Sequence, residues 1–341
     1  MVIQDLLQKA GGTGGNMTVF KSIAKAHHVL TGYYNIVVSI SGGSDSDIVL
    51  DLIHNVAQCM GKEKNITYVW FDTGLEFDAT KNHIKYLEDR YGIEIKREKA
   101  IKPIPITCRE YGQPFLNKRV SDYIYRLQAH RFQFEDEPFE QLLTKYPKCR
   151  SALKWWCNKY DKEDSPLGIA HNKYLKEFLV ANPPQFKIAN KCCEYSKKKV
   201  LHKALERYDA DLNVFGVRKA EGGARQTVYK NCYTDNGSEC STFRPIFWYK
   251  DEDKHFYEEK FGIVHSDCYV KYGMRRTGCS GCPFAKDLQS ELDIIEQFEP
   301  KLYRAVSNIF KDSYAYTQQY REFCNKMNEE GKPSPIKLFN I

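Results

Sequence analysis

Residues 35–47 read NIVVSISGGSDSD, a short apolar run that passes through two glycines and small hydroxyls into an apolar helix. Few patterns restrict a fold as tightly, because a strand that turns on paired glycines into a helix opens a strand–helix–strand unit. The glycines let backbone N–H groups approach an anion closely, and a helix opening near Asp45 points its positive end at the same place. Ser41, Ser44 and Ser46 add hydroxyl donors, and Asp45 is suited to hold a Mg²⁺ that bridges phosphate oxygens. No Gly-Lys-Ser/Thr follows, so this is not a Walker A loop. The plainer alternative is a Gly-Ser turn that caps a helix.

The pattern after Asn35 alternates. Strands are expected at NIVVSI, at Ile66–Asp72 and over 93–98, with helices over 48–60 and 80–91 between them. Such alternation predicts parallel strands joined by right-handed helical crossovers, a Rossmann-like doubly wound sheet of the α/β class. Ligands of such sheets bind beyond the carboxyl ends of the strands, where both the SGGSDSD loop and Asp72-Thr73-Gly74-Leu75-Glu76 fall. We expect a helical segment over 1–34, an α/β domain over 35–284 with a helical insertion at about 102–184, and a helical region over 285–341. After the insertion the rhythm resumes with a helix over 196–208, a strand over 211–216, a strand-like run over 242–249 and a helix at Asp251–Phe261. Trp155 and Trp156, inside the insertion, suit either stacking on bases or packing in a helical core, and core packing is the expectation.

With 42% apolar and 28% charged residues, the chain is a folded globular one. No run approaches the ~18 apolar residues of a membrane span. The start, MVIQDLLQKAGGTGGN, lacks the basic and apolar regions of a leader, so a cytoplasmic location is expected. A net charge of +7 leans toward acidic partners such as nucleotides, tRNA or DNA, although a solvated surface explains it equally well.

Twelve cysteines in 341 residues are too sparse for a disulfide scaffold, and clusters among them point to metal or redox chemistry. Two clusters stand out: adjacent Cys192-Cys193, and Cys279-Ser280-Gly281-Cys282 late in the chain. Four thiolates suit a tetrahedral Zn²⁺ or a cubane iron–sulfur cluster. Adjacent cysteines are awkward around one zinc ion and less so on separate irons. The other eight cysteines show no ligand spacing and are expected in the core or on the surface.

Five segments occur in a telling order: SGGSDSD at 41–47, FDTGLEFDAT at 71–80, Cys192-Cys193, GVRKAEGGAR at 216–225 and YGMRRTGCSGCPF at 272–284. On these the chain resembles the phosphoadenosine/adenosine phosphosulfate reductase family of the PP-loop ATP pyrophosphatases. The resemblance implies an adenine nucleotide alpha hydrolase-like fold. It also implies an adenine nucleotide on Ser41, Gly42, Gly43, Ser44, Asp45 and Ser46, with Asp72, Thr73, Glu76, Gly216, Arg218 and Arg225 contributing. Asp45, Ser46 and Arg218 take the catalytic roles, and Arg275 and Arg276 serve the substrate or the cluster. Relatives with the Cys-Cys…CxxC pattern, among them adenylyl-sulfate reductases and the sulfur-activating subunit of DNA phosphorothioation systems, bind a [4Fe-4S] cluster. The resemblance therefore places one at Cys192, Cys193, Cys279 and Cys282.

Two departures bear on function. Ser44 stands where SGGKDS relatives carry a lysine, which removes one phosphate-facing cation. The chain ends KPSPIKLFNI without the Glu-Cys-Gly tail of the reductases, and Cys324 lies in a helical context, YREFCNKM. The expectation is an enzyme that binds ATP with Mg²⁺, adenylates an acceptor with release of pyrophosphate, and passes on sulfur from a cysteine desulfurase or another donor. The acceptor is DNA, tRNA or a small molecule. The alternatives are an adenylyl-sulfate or phosphoadenylyl-sulfate reductase, and a nucleotide sensor or nucleic-acid scaffold with a structural cluster.

Overall fold

Isoleucine and valine supply four of the five residues of Ile36–Ile40 (β1), and those four are buried, as a strand covered by helices requires. In the computed structural model, which describes residues 2–160, 165–222, 228–237 and 239–329, β1 lies inside a six-stranded sheet. Its partners are Ile66–Asp72 (β2), Ile95–Lys99 (β3), Leu212–Phe215 (β4), Tyr233–Thr234 (β5) and Ser241–Phe243 (β6), in the order β3-β2-β1-β4-β6-β5. Ile36 pairs with both Ile66 and Leu212, and every pairing is parallel except that of β5 with β6. The chain thus steps from β1 to β2 and β3 on one side, then returns to β4 on the other. The order reverses between β1 and β4, the place where doubly wound sheets open a crevice for ligands.

Two compact units make up the chain. The first comprises residues 1–101 and 196–280, and the second comprises 102–195 and 281–341.

In the first unit the helix Ser44–Met60 follows β1 and is buried on most of its surface, because Ile3–Gly11, Met17–Thr31 and Asp251–Phe261 pack against it as well as the sheet. The core includes Ile36, Val38, Ile40, Val49, Leu52, Ile53, Leu212, Val214 and Phe243. The strand expected over 242–249 ends at Phe243. Pro245 has no N–H to give a ladder, and the chain turns there, with Phe247 N–H donating to the Arg244 carbonyl. The two-residue β5, too short to show in the sequence, pairs with β6 instead.

The second unit is helical among its described residues. Its core joins Phe115, Ile124, Leu127, Phe132, Trp155, Trp156 and Phe178 to Tyr316 and Tyr320 of the helix Lys311–Glu329, so the insertion and the C-terminal helices share one interior. Trp155 and Trp156 are both fully buried, which makes them core residues and not stacking platforms. Trp156 donates its indole N–H to the Glu135 carbonyl at 2.9 Å.

Candidate functional site

The loop turns at Gly42, whose φ of +67° is the left-handed conformation that favours glycine. A Cβ there would also come within 2.8 Å of Thr80 Cγ2. Gly43 is extended and caps the helix Ser44–Met60, accepting N–H bonds from Ser46 at 2.8 Å and Asp47 at 3.1 Å. The hydroxyls brace the turn: Ser46 Oγ accepts the Ser41 N–H at 3.0 Å, and Ser41 Oγ accepts the Gly43 N–H at 3.3 Å. A helix N-terminus held open by glycines at the sheet's reversal point is the geometry that binds phosphate.

β4 delivers the opposite wall. A Cβ on Gly216 would lie 3.1 Å from the Asp45 carbonyl oxygen, tight enough that the loop would have to give by a few tenths of an ångström. Two residues on, Arg218 is buried and donates from Nε to both Asp45 oxygens, at 3.1 and 3.0 Å. Its Nη1 donates to Asp251 Oδ1 at 2.7 Å and holds that carboxyl below its ordinary range. The structure therefore brings together Ser41 to Ser46, Gly216 and Arg218. Arg225 lies outside the described residues, and Arg275 and Arg276 are exposed.

Asp72, Thr73 and Glu76 close the neighbouring strand. The Asp72 carboxylate takes Arg97 Nε at 2.8 Å and the Gly74 N–H at 2.8 Å, while the Thr73 hydroxyl donates to Glu76 Oε1 at 2.6 Å. Burial pushes the Glu76 carboxyl up, against the lowering effect of Thr73. The side chains of this turn thus brace the turn itself.

Several residues that no motif announced stand at the loop. Tyr269 accepts the Ser44 N–H at 3.2 Å and pairs with Thr277 at 3.1 Å. Lys254, from the helix Asp251–Phe261, donates to Ser44 Oγ at 2.5 Å and lies 3.0 Å from Asp45 Oδ1. Below the loop, buried Asp47 meets His265 Nδ1 at 2.8 Å, and His265 Nε2 meets Glu258 Oε1 at 2.9 Å. Burial works against charge on this imidazole, but the two carboxylates prevail and raise His265 to about 9. His83 Nε2 lies 3.0 Å from Asp47 Oδ1 but out of hydrogen-bonding alignment. None of these contacts is readable locally, since each partner sits about two hundred positions from the loop or, for His83, on another helix.

Among the described residues, no disulfide joins the cysteines. Within the second unit, the Cys192 thiol hydrogen-bonds with Cys108 and Cys193 and lies in the field of Cys282, and both Cys108 and Cys192 are buried. The bond to Cys108 is the largest cause that holds the Cys192 thiol well above its ordinary value, and burial adds to it. Cys108 had no ligand spacing in sequence. The short turn Lys191–Cys193 packs on the helix Ile104–Tyr111, and that packing recruits it. Cys279 falls at the end of the first unit's span and Cys282 near the start of the second's continuation. Among the described residues, no three His, Cys, Asp or Glu side chains converge as ligands of one metal ion.

Comparison with known proteins agrees with the reading of the loop. Residues 35–119 match the phosphoadenosine phosphosulfate reductase domain. That stretch holds β1, the loop and β2 with its turn, and the resemblance inferred from the five segments thus finds independent support. An uncharacterized protein of Methanocaldococcus jannaschii is 28% identical over 148 residues, 43% of this chain and 28% of its own length. An uncharacterized 37.8 kDa protein of Escherichia phage 186 is 26% identical over 264 residues, 75% of this chain and 68% of its own length. The chain therefore spans little more than a quarter of the first relative and about two thirds of the second. Among solved structures, the phosphoadenylyl-sulfate reductase of Candida auris in its phosphate complex aligns with a TM-score of 0.40 at 11% identity, over 81% of this chain and 93% of that one. Among the described residues, no helix is long and apolar enough to cross a membrane.

Proposed function

We propose that this chain is a PP-loop enzyme that binds ATP with Mg²⁺ on Ser41–Ser46 and activates an acceptor by adenylation for sulfur transfer. The observation that carries the reading is the Gly42-Gly43 turn at the sheet's reversal point, with the Arg218 guanidinium seated on Asp45 across it. Backbone N–H groups of the turn and the dipole of a 17-residue helix favour phosphate oxygens. Mg²⁺ held by Asp45 would neutralise charge on the leaving pyrophosphate. Arg218 would serve the α-phosphate, where its planar fork would stabilise the charge that develops as the acceptor oxygen attacks phosphorus. Asp72, Thr73 and Glu76, at the end of the adjacent strand, border the nucleotide. The acceptor, a nucleic acid or a small molecule, then loses AMP to a sulfur nucleophile from a desulfurase or another donor.

Cys192, Cys193, Cys279 and Cys282 hold a [4Fe-4S] cluster in this reading, and Cys108 hydrogen-bonds to Cys192. Bound there, the cluster would supply a redox-capable iron–sulfur centre. Reduction of adenylyl sulfate is the competing activity and needs an attacking thiolate. Cys324 is poorly suited to that role: it is partly buried, burial raises its pKa, and its Sγ donates to the Lys173 carbonyl at 3.6 Å. The test is an anaerobic preparation given ATP and adenylyl sulfate in parallel. Pyrophosphate from ATP supports adenylation. Sulfite from adenylyl sulfate overturns it in favour of a reductase, and binding with neither product favours a sensor.

A further inference from the structure

Residues 41–47, SGGSDSD, contain no lysine or arginine, so the loop has no cation of its own. The structure places one there from elsewhere. Lys254 Nζ, on a side chain only 17% exposed, donates to Ser44 Oγ at 2.5 Å and lies 3.0 Å from Asp45 Oδ1. We propose that Lys254 is the phosphate-binding lysine of this site, supplied by the helix Asp251–Phe261 in place of the loop. This inference rests on the nucleotide reading of the loop and adds a substrate-binding residue to it.

Three rungs tie the lysine's helix to the loop-bearing helix Ser44–Met60. Lys254 meets Ser44 and Asp45, Glu258 reaches Asp47 through His265, and Tyr257 donates to Asp51 Oδ2 at 2.7 Å. Residues 254, 257 and 258 share one helical face, so the three contacts fix register and rotamer together. At the helix start, Asp253 accepts the Lys250 N–H at 2.8 Å and Asn16 Nδ2 at 2.7 Å, which anchors the first turn. An ammonium held this way pays little ordering entropy when a phosphate arrives, and a compact point charge suits phosphate oxygens that no planar fork is needed to orient.

Asp45 explains why a lysine can rest there before substrate binds. Its carboxylate faces Arg218 on one side and Lys254 on the other. With a phosphate on the loop, both cations would exchange Asp45 for phosphate oxygens.

The test is calorimetric binding of MgATP to four forms of the full chain: wild type, Lys254→Met, Ser44→Lys, and the double variant Lys254→Met with Ser44→Lys. Circular dichroism confirms the fold of each. We expect Lys254→Met to weaken binding about ten- to a hundredfold, and the double variant to recover most of the loss, because the cation is restored from the loop side. A lysine that serves only as a strut would show neither effect on affinity: an unchanged dissociation constant for a folded Lys254→Met overturns the inference, and so does failure of the double variant to recover. Wild type that binds neither ATP nor adenylyl sulfate removes the nucleotide reading itself, an outcome distinct from the other two.

Discussion

The charge network beneath the loop makes a prediction whose size follows from the structure. His265 sits between Asp47 and Glu258, at 2.8 and 2.9 Å, with its side chain 16% exposed. Lys254 lies 3.8 Å from the same Glu258, His255 is 3.2 Å from its other oxygen, and His83 faces Asp47 from the helix Asp78–Tyr91. Burial disfavours the imidazolium and the two carboxylates favour it, for a net rise from 6.5 to about 9. The folded state therefore holds a proton that the unfolded state releases near its ordinary pKa. This contributes stability that is complete below about pH 6.5 and is lost as pH rises through about 9. At ~1.4 kcal/mol for each pH unit between those values, the contribution is about 3 kcal/mol. His265→Gln should cost about that much at pH 6 and progressively less toward pH 9.5, so the two stability curves converge. The assay is urea unfolding at pH 6, 7.5 and 9.5, read by hydrogen exchange of peptides within Ser44–Met60. Equal losses at pH 6 and 9.5 would refute the reasoning, because they would mean that packing and not charge makes the contribution.

Other perturbations test other parts of the account. Gly216→Val forces a Cβ to 3.1 Å from the Asp45 carbonyl and should cost about 1–3 kcal/mol, with MgATP affinity falling at least about tenfold as the loop shifts; chemical denaturation and calorimetry check both. Anaerobic reconstitution should load iron into wild type and Cys108→Ser but leave Cys192→Ser nearly iron-free, with the Cys108 variant altered in its visible absorption; iron analysis and spectra decide. Trp156→Ala removes a fully buried ring from the helical unit and should destabilise it by about 3–5 kcal/mol, seen as faster exchange in peptides covering Arg150–Trp156.

How much of this was legible beforehand depends on whether the deciding contacts are local. The strand Ile66–Asp72 fell where its β-branched and aromatic residues put it, and the turn at Gly42-Gly43 was visible because two glycines at a strand end have few other uses. Gly216 and Arg218 were found through the resemblance, and the backbone packing of Gly216 on Asp45 gives the physical reason for them. Thr73 and Glu76 look the same in sequence whether they bind a ligand or each other, and the structure pairs them with each other. Lys254 was hidden because DEDKHFYEEK reads as an ordinary charged helix; its partner Ser44 is 210 positions away. Cys108 was hidden for the same reason, since a lone cysteine acquires a neighbour only when two distant segments pack. The strand expected over 242–249 stops at Phe243, because Pro245 has no N–H to give a ladder.

The most direct measurement is a crystal structure of the chain with Mg²⁺ and an ATP analogue that resists cleavage between the α- and β-phosphates. Phosphates are expected against the N–H groups of Gly42 to Ser46, the metal on Asp45, and the Arg218 and Lys254 side chains turned from Asp45 to phosphate oxygens. A nucleotide bound elsewhere, or a loop on which Arg218 and Lys254 still clasp Asp45 with no phosphate between them, would contradict it.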